Sequence, residues 1–324
     1  MGQKRKQVKS FNSQILAGPE SDRHRHKQAR VVKELPKGRP RNYTVSIAIP
    51  CSVIAAAPTL DLKTILAGQI GRICVISSID EVIIYNDQAH QKDDATAFLA
   101  RALQYMETPQ YMRKTLIPVH PDLKAAGLLP LLETAHHPGL EDVTRFREGV
   151  TIGPYHKEGG TLVDIGCFQR ANVEPSIQQG VRVTVELTTP LAAKDTRKGQ
   201  APLPAKVISP KVPREAGYYW GYSIRTAASL SEARNDSPYK EGYDLSIGVS
   251  DLSGQDVHGC LQGRTTPFKH LLIVFGASGG GLEEAIDSDE NLRVSGEDAK
   301  LLFDILVNPS QNLGTKSLRL EVKQ

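Results

Sequence analysis

Hydrophobic and polar positions follow two different rhythms along this chain. From Tyr43 the run Thr44-Val-Ser-Ile-Ala-Ile-Pro50 is short, β-rich and closed by a proline, which predicts a strand. Between Thr59 and about Ser78, the residues Leu62, Ile65, Leu66, Ile70, Ile73 and Cys74 recur at helical spacing. Glu81-Val-Ile-Ile-Tyr-Asn86 predicts a second strand, and Asp94 to Met106 a second helix with Phe98, Leu99, Ala102 and Leu103 on one face. This alternation argues for a parallel α/β sheet. Near Arg145 the helical period stops. Short β-like runs replace it up to about Pro213: Gly149-Val-Thr-Ile152, Thr161-Leu-Val-Asp164, Val181-Arg-Val-Thr-Val-Glu-Leu187 and Ala205-Lys-Val-Ile-Ser209, set apart by glycine and proline. Five or so strands in roughly 70 residues suit a small OB-like barrel, a fold that often binds nucleic acid, with the charged spacer Lys194 to Lys211 as a loop on it.

The α/β rhythm then returns. Tyr218 to Leu230 begins β-like and ends helix-like, and Asp244-Leu-Ser-Ile-Gly-Val-Ser250 predicts a strand. His270-Leu-Leu-Ile-Val-Phe275 is almost continuously apolar, as a strand buried on both faces should be. Leu301-Leu-Phe-Asp-Ile-Leu-Val307 predicts another strand. The expected organisation is a polar, basic, disordered tail over 1–42, one α/β domain in two parts (43–144 and 214–324), and an all-β insertion over 145–213.

Charge sharpens this division. Residues 1–42 hold 12 Lys/Arg against 3 Asp/Glu, while the rest holds 28 against 33. A basic arm on a mildly acidic body fits contact with a polyanion, and the run Lys4-Arg5-Lys6 fits nuclear import equally well; both readings stay open. No apolar run reaches the length of a membrane span, and no secretory leader is legible, so an intracellular place without membrane contact is expected. The four cysteines (Cys51, Cys74, Cys167, Cys260) and the histidines show no metal-ligand spacing, so no metal is expected.

Two polar stretches follow buried strands. Phe275-Gly-Ala-Ser-Gly-Gly-Gly-Leu-Glu-Glu284 reads as strand end, glycine-rich turn and helix start; it is neither a P-loop nor a dinucleotide fingerprint. By itself it is a tight turn or a binding loop, but ligands of open α/β sheets favour the carboxyl ends of strands. The second stretch, 308–321, contains Pro309 and Gly314, and its main chain could read an adenine edge and a ribose. Leu162-Val-Asp-Ile-Gly-Cys167 imitates a methyltransferase glycine motif but lacks the further glycines and lies in the β-only module. In Gly217-Tyr-Tyr-Trp-Gly-Tyr222, Trp220 and Tyr222 are read as filling the domain junction, with Arg225 left open for a substrate role.

Taken in order, these segments resemble the eukaryotic and archaeal SPOUT-class RNA methyltransferases that carry an OB-like insertion. The matching stretches include Tyr43 to Pro50, Leu66-Ala-Gly-Gln-Ile-Gly-Arg72, Tyr105 to Lys114, Asp122 to Leu129, Phe146 to Gly149, Gly217 to Tyr222, Gly242 to Gly248 and both C-terminal loops. The resemblance implies a parallel sheet with a C-terminal trefoil knot, a homodimer with its site near the subunit interface, S-adenosyl-L-methionine as cofactor, and RNA, most plausibly ribosomal RNA, as substrate and partner. It maps cofactor binding onto Phe275, Gly276, Asn308, Pro309, Leu313, Gly314 and Ser317. Arg225, then Arg72, are the residues expected to position the substrate. A nuclear or nucleolar place of action follows from the substrate class. The family's R-x-E element opens a further helix, whereas here Arg319-Leu-Glu-Val-Lys-Gln324 ends the sequence, so a less stable knot and dimer are expected. The alternative to an enzyme is an inactive RNA-binding ribosome-assembly factor that keeps the fold.

Overall fold

The computed structural model describes residues 37–313, apart from 88–93, 141, 156, 158, 190–200, 254, 258, 260–266, 278–279 and 311–312. Most of the expected tail, the first part of the spacer (194–200), and both Gly314 and Ser317 lie outside the described residues, as does most of the stretch that would close a knot. The rest of the spacer is not the loop expected, because Leu203–Ile208 is a barrel strand and Lys211 opens a helix.

The first half of the α/β part runs β1 (Thr44–Pro50), α1 (Leu60–Ile76), β2 (Glu81–Tyr85), α2 (Asp94–Glu107) and α3 (Gln110–Leu116). The barrel strands follow: β3 (Phe146–Pro154), β4 (Thr161–Asp164), β5 (Ala171–Val173), β6 (Arg182–Leu187) and β7 (Leu203–Ile208). The chain returns through α4 (Lys211–Glu215), β8 (Ser223–Ala227), α5 (Leu230–Asn235), β9 (Leu245–Val249), β10 (His270–Phe275), α6 (Gly281–Asp287) and β11 (Ile305–Val307).

Six strands pair in the order β11-β9-β10-β1-β2-β8, all in parallel. The apolar runs β1 and β10 sit side by side at the centre, with Ile47 opposite Ile273, and every residue of β2 is buried. Parallel strands need cover on both faces, and both faces have it. Ile47, Ile49 and Val82 pack under α1 and α2, while Ala48, Ile83, Leu272 and Val274 pack under α5 and α6.

The rhythm of α1 predicted the element but not its buried face. Thr59 caps it, its hydroxyl accepting from Leu62 N at 3.3 Å. The face turned inward uses Thr64, Ala67, Gly68, Ile70, Gly71 and Cys74, whereas Leu62 and Ile65 are exposed. Close approach decides this. A Cβ on Gly68 would lie 2.7 Å from Pro130 Cδ, and one on Gly71 would lie 3.0 Å from Met106 Cε and Tyr222 Oη. Small residues therefore face the core, and an apolar stripe is left outside.

The insertion leaves the sheet after α3 and returns before β8. Its five strands close into a barrel in the order β3-β4-β5-β7-β6, with β5 parallel to β7 and the other pairs antiparallel. Its core is Val163, Ile165, Ala171, Val173, Val185 and Leu187. The three-residue β5, in a stretch too short to show alternation, was not among the runs expected from the sequence.

Two expectations need correction. The strand expected over 301–307 is confined to Ile305–Val307, because Gly296–Leu301 forms a 3₁₀ turn. Leu301 points to solvent, and Asp304 accepts from both Ser246 N (2.8 Å) and Ser246 Oγ (2.6 Å), which pins the start of β11 beside β9. The aromatic stretch 218–222 is not a strand; β8 begins only at Ser223. Trp220 is buried at the junction of barrel and sheet, as expected, whereas Tyr222 is buried in the α/β core, its Oη donating to Leu103 O at 3.2 Å.

That junction is polar and fully desolvated in places. Arg182 of β6 donates from Nη1 and Nη2 to Glu107 at the end of α2 (2.6 and 2.8 Å) and from Nε to Glu148 of β3 (2.6 Å). Glu148 also accepts from Thr184 Oγ1 (2.6 Å) and Trp220 Nε1 (2.5 Å). Burial alone would raise the Glu107 carboxyl, but hydrogen bonds from Arg182 and His136 outweigh it and hold the group at about 2.

Candidate functional site

The carboxyl ends of β10, β9 and β11 lie next to one another and bring most of the expected cofactor residues together. β10 ends at the buried Phe275, whose carbonyl accepts from Tyr85 Oη at 2.7 Å. Gly276 follows, and only glycine fits there, because a Cβ would stand 2.0 Å from Leu282 N. Ala277 and Gly281 exchange two main-chain hydrogen bonds of 3.2 Å, closing a turn that requires positive φ at Gly281 (72°). The two glycines thus have a packing reason of their own: they let α6 start directly against the end of β10.

β11 ends at Asn308, whose side chain ties the neighbouring strand ends together. Its Nδ2 donates to Asp251 O (2.8 Å) and Ser253 O (3.1 Å), and its main-chain N donates to Gln255 O (2.7 Å). Its Oδ1 accepts from Ser310 N (2.9 Å) and Ser310 Oγ (2.7 Å). Pro309 sits inside this knit as a half-buried turn residue, and Leu313, largely exposed, donates its N–H to Ser310 O at 3.2 Å.

Between these two ends lies the end of β9, which sequence reasoning left without a role. Ser250 is wholly buried; its N–H donates to Val307 O (2.9 Å) and its hydroxyl donates to Glu283 Oε1 in the first turn of α6. Glu283 Oε2 is buried and has no hydrogen-bond partner among the described residues. The rule that ligands gather at strand carboxyl ends applies to β9 as much as to its neighbours, and was the signal that could have found Ser250 and Asp251. Nothing in the sequence marks Glu283, whose place depends on how α6 packs.

Neither expected arginine stands beside these loops within one chain. Arg225 is on β8, at the opposite edge of the sheet from β11. Its Nε donates to Glu81 Oε1 (3.2 Å) and its Nη2 to Ala233 O (2.8 Å) and Tyr243 Oη (3.3 Å), while the buried Nη1 has no hydrogen-bond partner among the described residues and lies 4.0 Å from Asp236 Oδ2. Tyr243 Oη in turn donates to Glu81 Oε2 at 2.7 Å. Arg72 is exposed near the end of α1, which runs back toward the amino ends of the strands.

The other candidates also find places. The Cys51 thiol donates to Asp87 Oδ1 at 3.4 Å, and burial pushes the Cys74 thiol up to about 12. His136 and His137 belong to the junction, where His137 Nε2 donates to Glu107 O at 2.6 Å. Desolvation, followed by the neighbouring His136, pushes His137 down to about 3. His270 opens β10 and stacks on Tyr239 with ring centroids 3.9 Å apart. Among the described residues, no cluster of three or more His, Cys, Asp or Glu is placed to hold a metal ion. A cleft of about 820 Å³ opens away from the loops, between β6–β7 and β8.

The fold is that of an α/β protein with a six-stranded parallel sheet, an inserted closed five-stranded barrel and knitted turns at three neighbouring strand ends. The chain belongs to the family described as "Putative RNA methyltransferase", whose profile matches residues 44–323 and so covers sheet, barrel and both C-terminal loops. It is 38% identical over 301 residues to the 28S rRNA (uridine-N(3))-methyltransferase of Mus musculus, covering 88% of this chain and 74% of that protein. The protein of the same name from Drosophila melanogaster is 39% identical over 306 residues, where the match spans 61% of its length. That from Homo sapiens is 36% identical over 300 residues, with 76% of its length covered.

Proposed function

We propose that this chain transfers a methyl group from S-adenosyl-L-methionine to N3 of a uridine in ribosomal RNA of the large subunit. The observation that carries this reading is the family match running unbroken through the knitted strand ends, at identities of 36–39% to relatives named for that reaction. The residues present fit the donor. Glu283 Oε2 is a buried acceptor without a hydrogen-bond partner among the described residues, on a side chain whose other oxygen accepts from Ser250 at the end of β9, and it is suited to a ribose hydroxyl or a cationic group. Phe275, Gly276, Asn308, Pro309 and Leu313 would hold it; Gly314 and Ser317, which the family resemblance adds, lie outside the described residues.

The bound donor supplies an already activated methyl group, so the protein is asked chiefly for alignment and exclusion of water. Uridine N3 carries a proton, so transfer there also needs a proton acceptor and help for the charge that develops on the ring.

The reading includes a C-terminal trefoil knot, a nuclear or nucleolar place of action, and a homodimer. An exposed apolar stripe on α1 supports the dimer: Leu62, Ile65 and Ile76 are 47, 40 and 71% exposed, and Arg72 lies on the same side as Ile65 and Ile76. A second copy packed there would place Arg72 at the subunit boundary. Arg225, distant from the loops of its own chain, is then to be tested as a residue serving the partner's site.

Two measurements test the proposal. Calorimetry on the full chain with S-adenosylhomocysteine should show one site per protomer; a folded sample that binds none would favour the assembly-factor alternative. Nucleoside mass spectrometry of rRNA from cells with and without the gene should show 3-methyluridine lost from the large subunit. Arg225→Ala should abolish transfer while keeping S-adenosylhomocysteine binding, and full turnover by that variant would remove Arg225 from the mechanism.

A further inference from the structure

We infer that a basic groove at the amino ends of the sheet holds single-stranded RNA flanking the target nucleotide; this rests on the reading of the chain as an RNA methyltransferase. The groove has a volume of about 480 Å³, and Lys37, Arg39, Arg41, Tyr43, Arg214 and Tyr218 contribute to its lining. A second recess of about 300 Å³ shares Lys37 and Tyr218 with it and adds Arg145. Residues 43–324 together carry more acidic than basic side chains, so this gathering of cations stands out against the rest of the body.

The groove is assembled in advance. Gly38 N donates to Gly217 O at 2.7 Å, which seats the segment before β1 against the loop before β8. Gly217 has a φ of 94°, and a Cβ there would stand 2.8 Å from Gly38 O, so the contact depends on glycine. Asp80, at the amino end of β2, accepts from Arg41 through both carboxylate oxygens (3.0 and 3.2 Å) and from Arg214 Nη1 (3.4 Å). One buried carboxylate therefore fixes two guanidinium groups and neutralises only one of them. Among the described residues Arg214 Nε is buried and has no hydrogen-bond partner, an N–H donor that a phosphate oxygen would satisfy.

Ring faces accompany the cations. Lys37 Nζ lies 5.6 Å from the centroid of Tyr218, and the Arg41 guanidinium lies 5.6 Å from that of Tyr43. Cations beside partly exposed aromatic rings suit a strand whose bases are unpaired, since stacking needs free base faces and phosphates need fixed positive charge. A duplex would offer only its backbone.

The groove and the donor site occupy opposite ends of the sheet. Strands of five to seven residues, at about 3.3 Å per residue, separate them by about 20 Å within one chain. The groove therefore acts on RNA affinity, and the reacting base is held elsewhere.

The test is fluorescence anisotropy of the full chain with a short labelled uridine-rich single-stranded RNA, comparing the parent with Lys37→Glu/Arg39→Glu. Both positions are exposed, and melting temperature reports that the variant folds. Affinity should fall by about tenfold or more near 0.1 M salt, and the slope of log affinity against log salt should flatten by about 1.4, as expected for two lost phosphate contacts. KM for RNA should rise while kcat at saturating RNA holds. Ultraviolet cross-links should map to Tyr43 or Tyr218, and the control pair Lys240→Glu/Lys300→Glu should bind RNA within about twofold of the parent. Unchanged affinity and salt slope in Lys37→Glu/Arg39→Glu, or tighter binding of duplex than of single strand, would overturn the groove. Failure of the parent to bind S-adenosylhomocysteine would instead overturn the reading on which the groove rests.

Discussion

At the amino ends of the strands, where the barrel joins the sheet, charged side chains answer charged side chains. Arg182 spans Glu107 and Glu148, Trp220 and Thr184 complete Glu148, and Arg147 is wholly buried yet fully bonded to Thr144 Oγ1 and to the carbonyls of Gly139, Asp142 and Ile165. At the carboxyl ends of β9, β10 and β11 the main chain does most of the bonding, glycines permit close approach, and the buried Glu283 Oε2 stays open. Buried charge without a partner is costly, so a junction that must hold two modules in one orientation completes its charges internally. A binding site has to leave some capacity for its ligand. The difference gives a practical criterion: where buried polar groups are all satisfied, substitution should cost stability, and where they are left open, it should cost ligand affinity.

The strongest challenge to that division is Arg182→Ala. It leaves Glu148 buried with no charged partner and Glu107 with only His136 beside it, and should cost about 3 kcal/mol or more, a fall in Tm of roughly 5 °C by scanning calorimetry. Arg182→Lys should recover only part of this, because an ammonium cannot reproduce the fork that grips two carboxylates. S-adenosylhomocysteine affinity of the refolded Arg182→Ala protein should match the parent; a large loss would mean that the two ends are coupled.

Acid should act on the same end. Glu107 is held at about 2, so its contribution is present above the ordinary carboxylate range near 4.5 and is lost as pH falls from there toward 2. His137 is pushed down to about 3, so the folded state favours its neutral form, and that contribution is lost as pH falls from 6.5 toward 3. Both signs agree: Tm should decline on acidification from pH 7, and more steeply below about 4.5. In His137→Gln the decline between pH 6.5 and 4.5 should shrink, and an unchanged profile would show that the junction does not set the acid limit.

Gly276→Ala tests the other end. A Cβ cannot share space with Leu282 N, so β10 and α6 must separate, at a cost of about 1–3 kcal/mol. Donor-product binding should weaken by far more than the loss of stability explains, and unchanged binding would take this turn out of the site. Asn308→Ala should be milder for the fold, about 1–2 kcal/mol for its lost bonds to Asp251 and Ser253, with S-adenosylhomocysteine affinity reduced about tenfold. The smallest effect belongs to Arg145→Ala. Its bond to Glu186 is on the surface, with the Arg145 side chain 69% exposed, so thermal melting should move by no more than the equivalent of about 1 kcal/mol.

Legibility followed the range of the interactions. β10 was readable to the residue, because a strand covered on both faces writes itself as an apolar run. The existence of α1 was readable from its period, but its facing was not. Gly68 and Gly71 turn inward only because Pro130, Met106 and Tyr222 approach from segments far along the chain. The strand ends at Phe275 and Val307 were readable from their apolar runs, whereas Phe275, Gly276, Asn308 and Pro309 became candidates only through the family resemblance. Ser250 and Glu283 were not readable, since their meeting depends on β9 lying between β10 and β11, an order that sequence distance does not reveal.

By itself the sequence determined the alternation of strands and helices, the all-β insertion and the family, because these rest on local periods and on an ordered set of short matches. Tertiary structure alone decided which face of α1 is buried, and that Arg182 of the barrel would meet Glu107 of a helix 75 residues earlier. It also decided that Arg41 would meet Arg214 around one carboxylate at Asp80. The reason is physical: a side chain's charge and size are written at its own position, but its partner is fixed only when the sheet order and the barrel's seat bring distant segments within a few ångströms.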